Sequence, residues 1–345
     1  MQPNTDTPIL VTGASGYVAS HIIKLLLERG FKVRGSVRSL SNTAKYQFLY
    51  DLVPENKHNL TLVEAELTNK ESWLKAVEGC QYVFHVASPI PPGVPKNEDE
   101  LIIPAVQGTL NVLEAAVEKG VKKVVVTSSC MCVTLGQPAG KINTEEDWAI
   151  EEACPAYPKS KVRAEKAAWE FYEKNKNKIE IATVLPYLVY GPIYTKHGNS
   201  SETMIAEIMR GNYPGFMDVK LSVVDVRDVA EAHFNAMFKE GTNGKRYICA
   251  GSLASVEDIF KNLAEELDQY GYKINNKFVT AEDIVASGNA VAQRMIPLIG
   301  KSMIVSNERS KTELGMNYRP LKQTVKEMAH SIIKQGLVEN KIPSL

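Results

Sequence analysis

Ile9-Leu10-Val11-Thr12-Gly13-Ala14-Ser15-Gly16-Tyr17-Val18-Ala19 reads as a short apolar strand, a glycine turn and the first turn of a helix. Val18, Ile22, Leu25, Leu26 and Arg29 then recur at helical spacing, and Gly30 follows as a residue suited to a left-handed C-cap. In this setting Gly13 permits the tight turn and Gly16 lets an anion approach the helix N-terminus. Ala19 supplies the third small position, where helix packs on strand. The physical need for small residues at these three places is the backbone's close approach to a dinucleotide pyrophosphate.

Outward from this turn, Val- and Ile-rich runs alternate with amphipathic segments: Lys32 to Val37, Leu60 to Glu64, Tyr82 to Val86, Lys122 to Thr127 and Ile179 to Leu185. That rhythm predicts an α/β fold with a doubly wound parallel sheet, the Rossmann arrangement. After Pro186 the rhythm breaks at Gly191-Pro192, Gly198-Asn199 and Pro214-Gly215, and from Gly251 the chain becomes charged and helical. The expected domains are a dinucleotide-binding unit over 1–190, rejoined by 221–250, and a smaller, mixed, mostly helical substrate-binding unit over 191–220 and 251–345.

Of the 345 residues, 44% are apolar, enough for a large core, while 40 Lys+Arg balance 40 Asp+Glu. A neutral chain has no cationic excess for a nucleic acid or an anionic membrane, and no 18 apolar residues run together, so neither partner is expected. Five cysteines without a C-x-x-C and six histidines without ligand spacing predict neither disulfides nor a metal site, and fit a reduced, cytoplasmic protein. Assembly is read as monomer or homodimer.

An NAD site places a carboxylate at the end of the second strand. Here Val37 stands 24 residues after Gly13, followed by Arg38 and then Lys45. Cations in place of a carboxylate suit a ribose 2′-phosphate, so NADP is expected, although Arg34 and Lys45 read equally as solvated charges. Thr127-Ser128-Ser129 closes the fifth strand at the edge where parallel sheets bind ligands. Tyr157 and Lys161 share a helical stripe with Ala164, Ala168 and Phe171. An ammonium one turn from a phenol favours the phenolate, which predicts a lowered Tyr157 pKa. A serine hydroxyl nearby would hydrogen-bond a carbonyl oxygen gaining charge.

Thr12 to Ala19, Val33-Arg34-Gly35-Ser36-Val37-Arg38, Phe84-His85-Val86-Ala87-Ser88-Pro89, Gly108-Thr109-Leu110-Asn111-Val112-Leu113, Thr127 to Ser129, Tyr157 to Phe171, Leu185-Pro186 and Val224 to Ala230 together resemble the extended short-chain dehydrogenases/reductases. Within that family the pattern is similar to the dihydroflavonol-reductase-like carbonyl reductases, including the yeast-type methylglyoxal and aldehyde reductases. The resemblance implies an NADPH-dependent reductase of a small-molecule carbonyl compound. In it Ser129 would hold the substrate oxygen, Tyr157 donate the proton, and Lys161 bind the ribose. It implies a cofactor cleft lined by Thr12, Gly13, Ser15, Gly16, Tyr17, Val18, Arg38, Lys45, Glu66, Leu67, Phe84, Val86, Ala87, Ser88, Thr127, Tyr157, Lys161, Pro186, Leu188, Val189, Ser200 and Ser201. The substrate pocket would draw on Pro89, Ile90, Ser129, Met131, Thr134, Tyr157, Tyr187 and Tyr190.

Cys130-Met131-Cys132 and Thr134 depart from the dihydroflavonol reductases and point away from a flavonoid. The absence of an N-W-Y-C-Y-G-K segment points away from a CoA thioester. Two other readings compete. A nucleotide-sugar epimerase or dehydratase would need phosphate-binding arginines among Arg210, Arg227, Arg246, Arg294, Arg309 and Arg319, and an NADP(H)-sensing regulator would not need Ser129, Tyr157 and Lys161. His85 reads as a core histidine, Trp148 and Trp169 as packing, and Cys130 and Cys132 as small apolar filler or as oxidation-sensitive thiols. Asp225, Arg227 and Asp228 read as a clip between domains, with Asp228 as a helix N-cap.

Overall fold

The computed structural model describes residues 5–41, 43–89, 95–196 and 200–345. Its strands are β1 (Ile9–Val11), β2 (Val33–Val37), β3 (Leu60–Glu64), β4 (Tyr82–His85), β5 (Lys123–Thr127), β6 (Ile142–Asn143), β7 (Glu180–Pro186), β8 (Leu188–Tyr190), β9 (Lys220–Asp225), β10 (Lys245–Cys249), β11 (Leu253–Ser255) and β12 (Ile304–Val305). The helices are α1 (Tyr17–Glu28), α2 (Gln47–Tyr50), α3 (Lys70–Val77), α4 (Asp99–Glu118), α5 (Met131–Thr134), α6 (Ala156–Asn175), α7 (Ser200–Met209), α8 (Val226–Phe238), α9 (Val256–Leu267), α10 (Ala281–Ser287), α11 (Ala290–Gln293), α12 (Glu308–Thr312) and α13 (Leu321–Lys334).

Seven strands form one parallel sheet in the order β10-β7-β5-β4-β1-β2-β3. Its central strands are apolar on both faces because helices cover both. Ile9 and Val11 of β1 pack with Ile22, Ile23 and Leu26 of α1 and Val229 and Ala232 of α8. Leu10, pointing the other way, joins Trp73 of α3, Val112 of α4 and Ala168 of α6. The strand order reverses between β1 and β4, so a crevice opens at their carboxyl ends.

The 20-residue α4 has the length and composition of a membrane span, but Leu101, Ala105, Val112, Leu113 and Ala116 are buried in the core beside α3 and α6. A side chain at Gly108 would strike Leu67, so the missing Cβ lets the chain after β3 lie against this helix.

A second core, containing Tyr213, Phe260, Leu263, Met328 and Ile332, is built by α7, α9 and α13 over the small sheet β11-β9-β8, with β12-β6 as a separate pair. The run expected to rejoin the large sheet divides. β9 pairs with β8 and β11, while α8 and β10 return to the large sheet. The run Leu221 to Val226 has the apolar signature of a buried strand in either sheet, and hydrophobicity does not report a partner.

Candidate active site

Three of the large sheet's turns converge on the crevice. The first follows β1, where Gly13 has φ +66°, a left-handed conformation, and an added Cβ would lie 3.2 Å from both Cα and Cβ of Ala87. Gly16 caps α1 in extended geometry, with no side-chain cap and no acidic residue in the first turn, so the leading N–H groups have no side-chain acceptor among the described residues. This bare helix start beside a small-residue turn fits a dinucleotide diphosphate. Ser15 is half-buried and Gly16 exposed at its lip.

Thr12 is fully buried and joins this turn to the one after β4. Its Oγ1 accepts from the N–H groups of Val86 and Ala87, both at 2.9 Å, and lies 3.1 Å from His85 Nδ1. With two bonds accepted, the Thr12 hydroxyl proton goes to Nδ1, which assigns His85 as the neutral Nε2–H tautomer. Burial, with Lys161 adding to it, lowers the His85 pKa to about 3. His85 is thus the core histidine expected. Ser88 and Pro89 continue half-buried from this turn, Phe84 is wholly in the core, and Ile90 lies outside the described residues.

The third turn follows β5. Lys161 on α6 is buried, and its Nζ donates to the Thr127 carbonyl at 3.3 Å, its only hydrogen bond among the described residues. Tyr157 sits one turn earlier on the same helix, and Ser129 two residues beyond Thr127. The Ser129 Oγ accepts from the Met131 N–H at 3.2 Å and donates to no acceptor among the described residues, leaving its proton for a ligand. Thr127 Oγ1 is 2.8 Å from His233 Nε2. The other nitrogen of that ring is 2.8 Å from the Val229 carbonyl, so His233 donates there and accepts from Thr127.

Electrostatics here differ from the expectation for Tyr157. Burial pushes the phenol up to about 12, with the Cys132 thiol adding to it. Burial likewise lowers the Lys161 pKa, against support from Cys132 and Glu165. In this desolvated site the cost of charging the phenol sets the direction of its shift. Cys130 and Cys132 are buried thiols pushed up by the same desolvation, the opposite of what an oxidation-sensitive thiolate requires.

Around this centre, Arg38 is exposed at the end of β2, and the loop after it is pinned by Glu64 accepting from the Leu40 N–H at 2.5 Å. Lys45 is half-buried, its ammonium 6.0 Å from the Tyr46 ring centroid. Arg34 turns toward the end of α3, where its Nη1 donates to the carbonyls of Ala76 and Glu78. Glu66 is exposed, and its carboxylate accepts from the Leu67 N–H at 3.0 Å.

The Pro186 carbonyl accepts from the Cys130 N–H, Leu188 and Val189 lie half-buried in β8, and Tyr187 donates to the Met303 carbonyl. Thr134 is buried, donating to the Cys130 carbonyl, while Met131 is 42% exposed beside Ser129. Tyr190 is not a pocket residue: fully buried, it directs its hydroxyl at Met204 Sδ inside the second core. Ser200 and Ser201 open α7, whose next residue, Glu202, acts electrostatically on Tyr17. Tyr17 itself reaches across to donate to the Gly191 carbonyl at 2.7 Å, and Val18 is half-buried behind it. Asp225, not Asp228, caps α8 by accepting from the Arg227 N–H, while Asp228 is buried against Arg319.

The pattern reading missed the carboxylate beneath this site. Glu165, four residues past Lys161, is buried and ion-paired with Arg246. An acidic residue on a stripe of alanines facing the sheet was the available signal.

Residues 9–250 match the model of the NAD dependent epimerase/dehydratase family. Anthocyanidin reductase of Vitis vinifera is 36% identical over 278 residues, covering 75% of this chain and 81% of that protein. Cinnamoyl-CoA reductase 1 of Petunia hybrida is 31% identical over 339 residues, covering 95% and 92%. Among solved structures, yeast methylglyoxal/isovaleraldehyde reductase Gre2 complexed with NADPH superposes with a TM-score of 0.78 at 28% identity, over 96% of this chain and 100% of that one. This protein is therefore a member of the NAD dependent epimerase/dehydratase family, the extended short-chain dehydrogenases/reductases, and an NADP-dependent oxidoreductase of the reductase branch.

Proposed function

We propose that this enzyme reduces small or medium-sized, largely apolar aldehydes and ketones, with Tyr157 as proton donor. The observation that carries the reading is the arrangement at the end of β5. A buried Lys161 ammonium rests on the Thr127 carbonyl, Tyr157 precedes it by one turn, and the Ser129 hydroxyl proton has no acceptor among the described residues. The exposed Met131 side chain beside Ser129 supports an apolar substrate.

When bound, NADPH supplies the hydride that reaches the carbonyl carbon. Tyr157 gives its phenolic proton to the carbonyl oxygen, and Ser129 donates a hydrogen bond to that oxygen as negative charge builds on it. A phenol held at about 12 stays protonated at neutral pH, as the donor in a reduction must. Lys161 has donors to spare for ribose hydroxyls, and its charge stabilises the phenolate left behind. Arg38 and Lys45 would face the 2′-phosphate.

The epimerase reading is disfavoured because five of the six arginines it could draw on are engaged within the protein, the exposed Arg294 being the exception. Arg210 bonds Glu207 and the Leu337 carbonyl, Arg227 bonds Asp225 and Glu327, Arg246 bonds Glu165, Arg309 bonds Glu146, and Arg319 bonds Asp228. The five buried, unpaired cysteines support placement in the cytoplasm. The test is NADPH consumption across aldehydes, ketones, diketones and flavonoids, repeated with Tyr157→Phe. Tyr157→Phe should lower kcat by about 10²–10⁴-fold while NADPH affinity stays nearly unchanged. A variant turning over at the wild-type rate would remove Tyr157 from the mechanism.

A further inference from the structure

We infer that Glu165 and Arg246 are positioning residues for the reduction, acting through Ser128 and α6 to hold Ser129, Tyr157 and Lys161 in register. The inference rests on the reading of those three residues given above, and it concerns a layer beneath them that touches neither substrate nor cofactor.

Glu165 is 1% exposed and collects donors from four directions. Its Oε2 accepts from Ser128 Oγ at 2.6 Å and Arg246 Nη2 at 3.1 Å. Its Oε1 accepts from Arg246 Nε at 2.8 Å, Thr183 Oγ1 at 2.9 Å and Trp169 Nε1 at 3.3 Å. The guanidinium thus meets the carboxylate fork to fork, the arrangement that fixes direction as well as distance. Its remaining nitrogen, Nη1, donates to the carbonyls of Glu145 and Asp147, at 2.6 and 2.8 Å, and its Cζ lies 3.9 Å from the Trp148 ring centroid. One buried pair therefore ties α6, the end of β5, β7, β10 and the 145–148 loop.

Two of those attachments bear on the chemistry. Ser128 adjoins Ser129, and its bond to Glu165 stops the strand end from rotating about its own axis. Glu165 lies one turn beyond Lys161, so the same carboxylate sets how far α6 can slide or turn against β5. The loop held by Arg246 also reaches the site, since the Ala149 N–H donates to the Cys132 carbonyl at 2.7 Å. The turn Ser129 to Cys132 is gripped from both sides by groups whose common anchor is this pair.

A buried ion pair is often replaceable by apolar residues without loss of stability. That property separates positioning from mere support. In Glu165→Met/Arg246→Met, kcat should fall about 100-fold through misalignment of the reacting groups, while the protein still unfolds cooperatively and binds NADPH within about threefold of wild type. Ser128→Ala keeps the ion pair and removes its link to the strand end, together with the 3.4 Å contact between Ser128 Oγ and Cys132 Sγ. It should lower kcat about tenfold, leave NADPH affinity unchanged, and speed amide exchange of residues 127–135 in the cofactor-free protein without speeding exchange elsewhere. The exchange measurement reads positioning without turnover, and Ser128→Ala decides the matter if the double variant does not fold. Wild-type kcat and wild-type exchange in Ser128→Ala would overturn the inference. If Tyr157→Phe is inactive in the same preparation, the reading of the site survives that result; an active Tyr157→Phe fails the reading itself.

Discussion

Replacing Thr12 with valine exchanges a hydroxyl for a methyl at nearly constant volume, so the consequence is almost purely one of hydrogen bonding. The hydroxyl serves three groups: it accepts from the Val86 and Ala87 amides and donates to His85 Nδ1. A buried polar group left unpaired costs about 1–3 kcal/mol. The two amides are half-buried and recover part of the loss to water, whereas His85 is fully enclosed. The expected destabilisation is about 3 kcal/mol. Thr12→Ser keeps all three bonds and deletes one buried methyl, costing about 1 kcal/mol. Urea unfolding followed by tryptophan fluorescence measures both, with Trp73 in the core as reporter. The hydroxyl also sets the approach of Ala87 to Gly13, so NADPH titrations should show weaker binding for valine than for serine. Equal stabilities for the two variants, or a valine variant within about 0.5 kcal/mol of wild type, would refute the hydroxyl's role as the joint between the turns.

Two further outcomes follow from the same structure. Arg38→Ala removes the exposed cation at the end of β2 and should weaken NADPH binding at least tenfold (about 1.4 kcal/mol) while leaving NADH binding within about twofold; equal losses for both coenzymes would undo the 2′-phosphate assignment. His21 and His85 titrate at about 3 and His233 at about 4, because burial disfavours their charged forms. The unfolded chain takes up these protons near the ordinary value of 6.5, so stability is intact above that pH and declines as pH falls. At about pH 5 the three contribute a slope of about 4 kcal/mol per pH unit. Urea midpoints measured across that range should show it, with His233→Gln reducing the slope by about a third; an unchanged slope would mean that His233 already carries its proton in the native state.

Much of this architecture could be read directly from residue pattern. The glycine turn at 13–16, the strand rhythm and the Tyr157/Lys161 stripe are local signals, each imposed by a backbone or helix geometry that only certain residues tolerate. What escaped were partnerships. Arg34 is a strand cation whose partners, the carbonyls of Ala76 and Glu78, lie more than 40 residues away. Tyr190 follows Pro186 closely, yet β8 belongs to the small sheet and turns it into the second core. Asp225 and Asp228 are both plausible caps by composition, and only backbone geometry selects Asp225. Tyr157's ionisation failed for a related reason: helical spacing locates the ammonium but says nothing of how much water the fold has removed.

The bond from Tyr17 to the Gly191 carbonyl is accompanied by two more from the same helix, where His21 is 2.9 Å from the Pro192 carbonyl and receives the Tyr194 hydroxyl at 3.2 Å. A single rigid rod therefore carries the glycine turn at its tip and grasps the strand exit at 191–194 along its flank. The span between those two landmarks is a fixed gauge, set within one element and independent of any hinge between lobes. Any shift of the 191–194 exit relative to the glycine turn would therefore have to break these three bonds first.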